Sequence, residues 1–174
     1  MAYSLKSDNI ILRPAEKDDL DFLYYLENEI SAGGASSLYQ PVSRQMLWQY
    51  LESYSADINV DKQLRLIICE RNGTAVGTVD ISDYDTHDRH AFVGISVLSR
   101  HRGNGYARAA LQMLCGYASS ELGIHQLVAV VAADNEPSKR LFTGLEFKGA
   151  GRLKSWLRRG SRYEDAIIFQ KLFC

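Results

Sequence analysis

A short segment with two glycines, one residue apart, is the part of the sequence best suited to holding an anion. Gly103 and Gly105 lie within residues 102–107, between an apolar run that predicts a strand and a segment that predicts a helix. Glycine permits positive backbone angles and a close approach of the main chain to a ligand, because it has no Cβ. The N–H groups of this segment would point out of the start of the helix, where the helix dipole favours an anion. The segment therefore predicts a loop that holds a pyrophosphate, to which Arg102 adds a positive charge.

A glycine turn also precedes many helices that only pack in a core, and that interpretation stays open for the glycine pair taken alone. Two other phosphate-binding loops are excluded by the neighbouring residues. No Gly-Lys-Ser/Thr of a P-loop is present, and the third glycine of the dinucleotide fingerprint is missing.

Acidic side chains are the candidate bases for proton transfer. Asp80 lies in the middle of a predicted strand between Val79 and Ile81, so the strand directs it to one face of a sheet. A solvated surface carboxylate is the alternative interpretation for every acidic residue, and it is weakest for Asp80. The other candidates are Asp83, Asp85 and Asp88 in the next loop, and Glu27 and Glu29 at the end of the first predicted helix.

Histidines, tyrosines and a basic stretch near the end of the chain give weaker signals. The histidines have no partner at catalytic spacing, and several tyrosines could supply a hydroxyl. The basic stretch indicates a solvated strand edge that guards against strand pairing, with an anionic substrate as the alternative. These residues are His90, His101 and His125; Tyr39, Tyr84 and Tyr163; and Arg152, Lys154, Arg158, Arg159 and Arg162.

Periodicity and turn residues predict the elements that position these side chains. Strands at residues 64–70 and 75–81 flank Asn72-Gly73, the strongest hairpin signal in the chain. A strand at residues 90–98 precedes the glycine pair, and a helix at residues 105–122 follows it. The remaining elements are a strand at 9–13, helices at 18–29 and after Ser43, a strand at 127–132, a short helix at 137–143, and strands at 147–156 and 163–173. This order predicts an α/β (α+β) fold with a mixed, twisted sheet of about seven strands and helices on both faces.

Length and composition indicate one domain that spans residues 1–174. The formal net charge of −1 argues against a nucleic-acid partner, and no apolar run approaches the roughly 20 residues that span a membrane. The three cysteines, Cys69, Cys115 and Cys174, are widely spaced and indicate a reducing, cytoplasmic location. No cluster of Cys or His has the spacing of metal ligands, so no metal site is expected.

The segment that contains the glycine pair resembles the signature of the GNAT family of N-acetyltransferases. Arg100-His101-Arg102-Gly103-Asn104-Gly105 is similar to the family's Gln/Arg-x-x-Gly-x-Gly/Ala. Residues 135–142, Asn-Glu-Pro-Ser-Lys-Arg-Leu-Phe, resemble its Asn-x-x-Ser/Ala-x-x-Leu-Tyr, and residues 145–147 resemble its Gly-Phe ending. The closing Arg162-Tyr163-Glu164-Asp165 is similar to the subgroup of ribosomal-protein N-terminal acetyltransferases and spermidine acetyltransferases.

This resemblance implies that acetyl-CoA lies between two splayed parallel strands, the fourth and fifth of the sheet, at residues 92–98 and 127–132. Backbone groups of the first strand would pair with the pantetheine arm, and the glycine loop would surround the pyrophosphate. Asn135 would bond the pantetheine arm, or cap the helix that starts at Pro137, while Ser138 and Phe142 would line the passage near the sulfur. The expected cofactor-binding residues are Ile95, Ser96, Val97, Arg102, Gly103, Asn104, Gly105, Tyr106, Ala107, Arg108, Asn135, Ser138 and Phe142.

Two positions depart from the family's pattern. Phe142 stands where many relatives carry the tyrosine that protonates the leaving thiolate, and Phe92 stands near a glutamate of the spermidine-type relatives. Asp80 aligns with an acidic position in those relatives, so the residues expected to act in catalysis are Asp80, Ser138 and Phe142. A free thiol has a pKa near 8.5, so the thiolate can leave with water as the acid.

The sequence thus predicts a cytoplasmic enzyme that transfers an acetyl group from acetyl-CoA to a primary amine, either a protein N-terminus or a small polyamine-like molecule. A homodimer is compatible with this function. The alternative is a non-catalytic acyl-CoA-binding or regulatory module that keeps only the cofactor loop. The amine is expected to enter opposite the CoA arm, between the loop around Gly33-Gly34, within residues 32–39, and the hairpin at residues 156–162.

Overall fold

The computed structural model of the protein describes residues 5–32, without the side chains of residues 30–32, and residues 41–173. Eight strands form one sheet in the order β1-β2-β3-β4-β5-β6-β8-β7. The strands are β1 Leu5–Lys6, β2 Ile10–Pro14, β3 Leu64–Glu70, β4 Ala75–Asp85, β5 His90–Val97, β6 Gln126–Ala132, β7 Lys148–Arg159 and β8 Arg162–Leu172. The helices are α1 Leu20–Ala32, α2 Arg44–Ser53, α3 Ile58–Asp61, α4 Tyr106–Ser120 and α5 Glu136–Thr143, with 3₁₀ turns at Lys17–Asp19 and Ser99–His101.

The predicted order of elements is confirmed, with two short additions. Strand β1 pairs Leu5 with Leu12 and Lys6 with Ile11, which makes an eighth strand. Helix α3 is a single turn that Asp57 caps by accepting from the Asn59 N–H. Both elements are too short to show a hydrophobic period, which is why the sequence did not reveal them.

Local signals placed the longer elements correctly. The hairpin of β3 and β4 turns at Gly73, where φ is +91°, a backbone angle that glycine adopts without strain. Helix α2 begins after Ser43, whose Oγ accepts from the Met46 N–H at 3.1 Å. An N-terminal cap of this kind satisfies a helix donor that has no partner within the helix.

Alternate residues of β3 show that helices cover both faces of the sheet, as predicted. Leu66 and Ile68 belong to a core cluster that includes Leu111 and Leu114 of α4. Ile67 and Cys69 belong to a second cluster that includes Leu23 of α1 and Leu47 and Leu51 of α2. Successive side chains of a strand point to opposite faces, so α4 packs on one face and α1 with α2 on the other.

The sheet opens between its two parallel strands, β5 and β6. Their pairing is limited to residues 90–92 of β5, and Phe92 with Val128 is the last pair. Beyond that point β5 still pairs with β4 up to Val97, whereas β6 pairs with β8 along its whole length. The expected splay between the two parallel strands is therefore present. These strands are the fifth and sixth instead of the fourth and fifth, because β1 is an additional first strand.

None of the described helices has the length and apolar character needed to cross a membrane.

Candidate active site

The glycine loop lies between the 3₁₀ turn that follows β5 and the first residue of α4. Gly103 has φ of +81° and Gly105 has φ of +78°, so both adopt the left-handed backbone that the sequence predicted for them. A Cβ built on either glycine meets no atom within 4 Å. The space in front of the loop is therefore open, and backbone strain rather than crowding within the chain explains the need for glycine.

The N–H groups of residues 103–108 form a row of unused donors at the start of α4. The first bond into the helix is donated by Ala109 to Gly105 O at 3.1 Å, and within residues 5–32 and 41–173 no acceptor takes the N–H groups of residues 103–108. The N–H of Arg102 is not part of this row, because it donates to Ser99 O at 3.3 Å. Unpaired donors at a helix N-terminus favour an anion such as a pyrophosphate.

Side chains of the loop are turned towards the protein and hold the loop in place. Arg102 Nε donates to Val97 O at 2.9 Å, and Arg108 Nη2 donates to Gly144 O at 3.0 Å. The Tyr106 hydroxyl donates to Glu70 Oε1 at 2.8 Å, and this hydrogen bond raises the pKa of Tyr106. Because the side chains face the protein, the main chain is the part of the loop left free for a ligand.

Glu29 joins the end of α1 to the 3₁₀ turn that precedes the loop. Its carboxylate accepts from the Ser99 N–H at 3.0 Å and from the Ser99 hydroxyl at 2.8 Å. Although desolvation acts to raise the pKa of Glu29, these hydrogen bonds and the charges of Arg102 and Arg100 hold it below its usual value. The sequence suggested Glu29 as a base, and in the structure its carboxylate accepts two hydrogen bonds from Ser99.

The edge of β5 that faces the splay offers backbone groups to a ligand. The Leu98 N–H donates to Val76 O at 2.9 Å, which shows that Leu98 is turned towards β4. Since N–H and C=O groups of alternate residues point to opposite edges of a strand, Ile95 and Val97 face the splay. Ser96 faces β4, so the backbone pairing expected from Ser96 is available from its two neighbours instead.

Helix α5 brings the other expected cofactor residues to the far side of the splay. Asn135 Oδ1 accepts from the Ser138 N–H at 3.1 Å, so Asn135 caps the helix. The Phe142 ring is only 4% exposed and packs edge-on against Phe147, with 5.1 Å between ring centroids. It also stacks on Phe169 at 6.3 Å. Phe142 is thus a core residue, and its expected position beside the sulfur of the cofactor stays a prediction.

Asp80 lies on the α1 face of the sheet in an ion-pair cluster. Arg65 Nε donates to Asp80 Oδ1 at 2.8 Å, and Arg65 Nη1 donates to Glu27 Oε1 at 3.0 Å. Burial raises the pKa of the Asp80 carboxyl, while Arg65 and the Thr78 hydroxyl oppose this shift. We therefore expect a carboxylate that is fixed in position and more basic than a surface aspartate.

Arg65 was not identified from the sequence, although it is the centre of this cluster. It is the one charged residue within the apolar run of residues 64–69, and that exception to the pattern was the available signal. The Arg65 N–H donates to the Tyr54 hydroxyl at 2.7 Å, and its guanidinium lies 5.5 Å from the Tyr50 ring centroid. Burial raises the pKa of Tyr50 to about 12, so this hydroxyl stays protonated.

The other candidates lie away from the splay or outside the described residues. Asp85 accepts from the N–H groups of His87 and Asp88, which lower its pKa. Asp85, Asp88 and His90 bring their ligand atoms within 4.8 Å of one another, a grouping that spacing along the sequence did not suggest. Tyr84 is buried and Tyr163 is exposed. Tyr39, Gly33-Gly34 and Cys174 lie outside the described residues.

Comparisons with known proteins agree with this geometry. Residues 9–148 match the family model of the Acetyltransferase (GNAT) domain. The chain is 26% identical to an uncharacterized N-acetyltransferase p20 of Bacillus licheniformis, over 97% of this chain and 96% of the relative. It is 24% identical to the spermidine N(1)-acetyltransferase of Escherichia coli K12, over 93% and 87%. A crystal structure of spermidine N-acetyltransferase from Vibrio cholerae with CoA and spermine has a TM-score of 0.84 at 22% identity, over 95% and 96%, which confirms the fold.

Proposed function

The chain belongs to the GNAT acetyltransferase family, and from this premise we propose that it acetylates a primary amine by direct attack of the amine on the thioester of acetyl-CoA. Membership in the family makes the chain an acetyl-CoA-dependent acyltransferase.

The observation that carries the proposal is the row of free N–H groups at residues 103–108 beside the splay. These donors would hold the pyrophosphate of acetyl-CoA, with the positive end of the α4 dipole behind them. Arg102, whose Nε donates to Val97 O, adds a positive charge beside these donors. The open space in front of Gly103 and Gly105 leaves room for a ligand to approach the main chain.

The N–H and C=O groups of Ile95 and the N–H of Val97 would hold the pantetheine arm in the way that a sheet edge holds an added strand, while Val97 O accepts from Arg102. The arm would then run from the glycine loop towards the last pair of the splay, Phe92 with Val128. Asn135 and Ser138 lie at the start of α5, on the other side of the opening, and would contact the arm near the sulfur. One free N–H on the β5 edge would polarise the thioester carbonyl.

Asp80 would remove the proton of the amine through a water molecule, or hold the ammonium before attack. In the reaction the N–C bond forms and the C–S bond breaks, and the proton lost by nitrogen passes through solvent to the thiolate of CoA. Phe142 cannot donate a proton, so water takes that role. Losing one positioned acid slows a reaction by roughly a hundredfold without abolishing it.

The similarity to spermidine N(1)-acetyltransferase supports a small amine as the acceptor, and the free amine of a protein N-terminus is the other acceptor with the required chemistry. A transfer assay tests the proposal. The purified chain is given acetyl-CoA with small primary amines, polyamines and short peptides, while thiol release and the mass of the product are measured. Acetylation of an amine that depends on the enzyme is the expected result, and CoA binding without transfer to any amine would contradict it.

A further inference from the structure

Two central strands expose large apolar side chains on the α1 face of the sheet. Phe92 of β5 is 39% exposed and Val130 of β6 is 37% exposed. Their sequence neighbours Val93 and Val131 are buried in the core cluster on the α4 face, so Phe92 and Val130 point to the opposite face. Phe92 and Val130 lie on the two strands that border the splay, so their exposure leaves an apolar surface available to a ligand at this place.

This apolar surface surrounds the point where the splay closes. Phe92 forms the last pair with Val128, and Gly94 is the next residue of β5 on the same face. Gly94 is exposed, and a Cβ built on it meets no atom within 4 Å. Phe92, Gly94 and Val130 thus form a floor beside the position at which the pantetheine arm would end.

A carboxylate beside this floor suits an ammonium group. Asp80 is paired with Gly94 across β4 and β5, so its carboxylate stands at the edge of the floor. Arg65 pairs with both Asp80 and Glu27 and holds the Asp80 carboxylate in position. The further ammonium groups of a polyamine interrupt its methylene chain, so a polyamine gains less than an amine with a continuous apolar skeleton from contact with Phe92 and Val130.

We propose that the acceptor is a small primary monoamine with an apolar skeleton, and that Phe92 and Val130 determine this specificity. The proposal rests on the acetyl transfer proposed above and adds the class of amine. The skeleton lies on Phe92 and Val130, and the amine nitrogen lies over Gly94, near Asp80. Contact with apolar side chains favours such an amine over spermidine, and the absence of a bulky side chain at Gly94 lets the nitrogen reach the thioester.

The test compares kcat/KM for 2-phenylethylamine, isopentylamine, spermidine and an alanine-initiated tripeptide, measured by CoA thiol release. The parent enzyme should prefer 2-phenylethylamine to spermidine by about tenfold or more, the discrimination that an apolar pocket provides. Phe92→Glu and Val130→Glu should each lower kcat/KM for 2-phenylethylamine by about tenfold and raise it for spermidine, because a carboxylate replaces the apolar contact. Val60→Glu is the matched control, since Val60 is 68% exposed on α3, and it should leave the ratio unchanged.

Binding of CoA to each variant, measured by calorimetry, shows that the variant is folded. If Phe92→Glu does not fold, Val130→Glu gives the same comparison on the neighbouring strand. A parent enzyme that prefers spermidine or the tripeptide overturns the specificity proposal while the acetyltransferase function stands, and so does an unchanged ratio in folded glutamate variants. If no amine is acetylated although CoA binds, the proposed function fails as well.

Discussion

The Asp80 carboxyl is partly buried and paired with Arg65, and these two features determine how readily it can accept a proton. Burial makes the carboxyl a stronger base than a surface aspartate, because it disfavours the charged form. Arg65 keeps the carboxylate oriented through a hydrogen bond of 2.8 Å. Such a group can accept a proton through water, and it attracts an ammonium placed beside it more strongly than a fully solvated carboxylate would.

Asp80→Asn should lower kcat/KM for the amine by at least about tenfold and leave CoA affinity unchanged. The loss should shrink as pH rises towards about 10, because more of the amine is then already neutral. In the parent, the same rate should fall as pH drops through the raised pKa of Asp80, since the protonated carboxyl cannot act as a base. Thiol release across the pH range measures both effects.

Asp83→Asn is the matched control for this substitution. Asp83 lies three residues further along β4, is exposed, and has φ of 50°, an angle that asparagine tolerates. It should keep the pH profile of the parent. If Asp80→Asn also kept that profile at neutral pH, the base would have to be sought at Glu27 or Glu29, or in solvent.

Phe142→Tyr tests the missing proton donor. We expect turnover to be preserved or raised, because tyrosine restores the acid that protonates the leaving thiolate in many relatives. The ring is 4% exposed and lies between Phe147 and Phe169, so the new hydroxyl would be buried among apolar side chains. A buried hydroxyl without a hydrogen-bond partner should lower the free energy of unfolding by about 1–3 kcal/mol. Phe147→Tyr is the control for stability alone. A large loss of kcat at unchanged CoA affinity would show instead that the site needs an apolar wall.

The backbone angles of the glycine loop and the face of the sheet to which Asp80 points could be predicted from the sequence, because both depend on local geometry. The positive φ angles of Gly103 and Gly105 follow from residue type, and the direction of Asp80 follows from strand alternation. The link from Asp80 through Arg65 to Glu27 could not be predicted, because α1 and β3 are brought together only by tertiary packing. The exposure of Phe92 likewise depends on which elements cover the sheet.

At the scale of elements, the end of α1 is tied to the cofactor loop through Glu29 and Ser99. Ser99 donates two hydrogen bonds to the Glu29 carboxylate. These bonds connect α1, which packs on one face of the sheet, with the 3₁₀ turn that precedes the glycine loop and α4. The depressed pKa of Glu29 means that its contribution to stability is present above the pKa of the unfolded chain, about 4.3, and is lost as pH falls through the folded value.

Glu29→Gln should therefore lower the free energy of unfolding at pH 7 by no more than about 1 kcal/mol, since the carboxylate is partly exposed. The difference from the parent should shrink between pH 7 and pH 3, because the parent carboxyl takes up a proton as pH falls through its lowered pKa. Urea unfolding at the two pH values measures it. Glu52→Gln, which alters an exposed ion pair with Lys17, should show a smaller effect. A Glu29→Gln difference that persists unchanged at pH 3 would show that the charge is not involved.

The elements themselves were predictable wherever a cap, a turn or a period marked them. Strand β7 illustrates this, because its basic residues indicated a solvated edge and it is the last strand of the sheet. The Ser155 N–H donates to Asp165, and Arg152 and Lys154 pair with the same carboxylate. These contacts lower the pKa of Asp165 to about 2. Only the family resemblance predicted the position of the splay, because no residue type in β5 or β6 indicates where the pairing of the two strands ends.

At the scale of the whole molecule, the proposed positions of cofactor and acceptor lie on different parts of one opening. The glycine loop lies beyond the end of β5, at the open end, and the floor of Phe92, Gly94 and Val130 lies where the opening closes, on the α1 face. The formal net charge of −1 leaves recognition to these local groups rather than to a global field.

The most direct test of this account is calorimetric titration of CoA into the parent, Gly105→Val, Gly103→Val and Gly116→Ala. A valine at φ near +80° is strained and turns the N–H row away from the ligand, so each valine variant should bind CoA at least about tenfold more weakly while keeping its circular dichroism spectrum. Gly116 lies within α4 with open space around it, and its alanine variant should bind like the parent. Parent-like affinity in both valine variants would contradict the assignment of residues 103–108 as the pyrophosphate site.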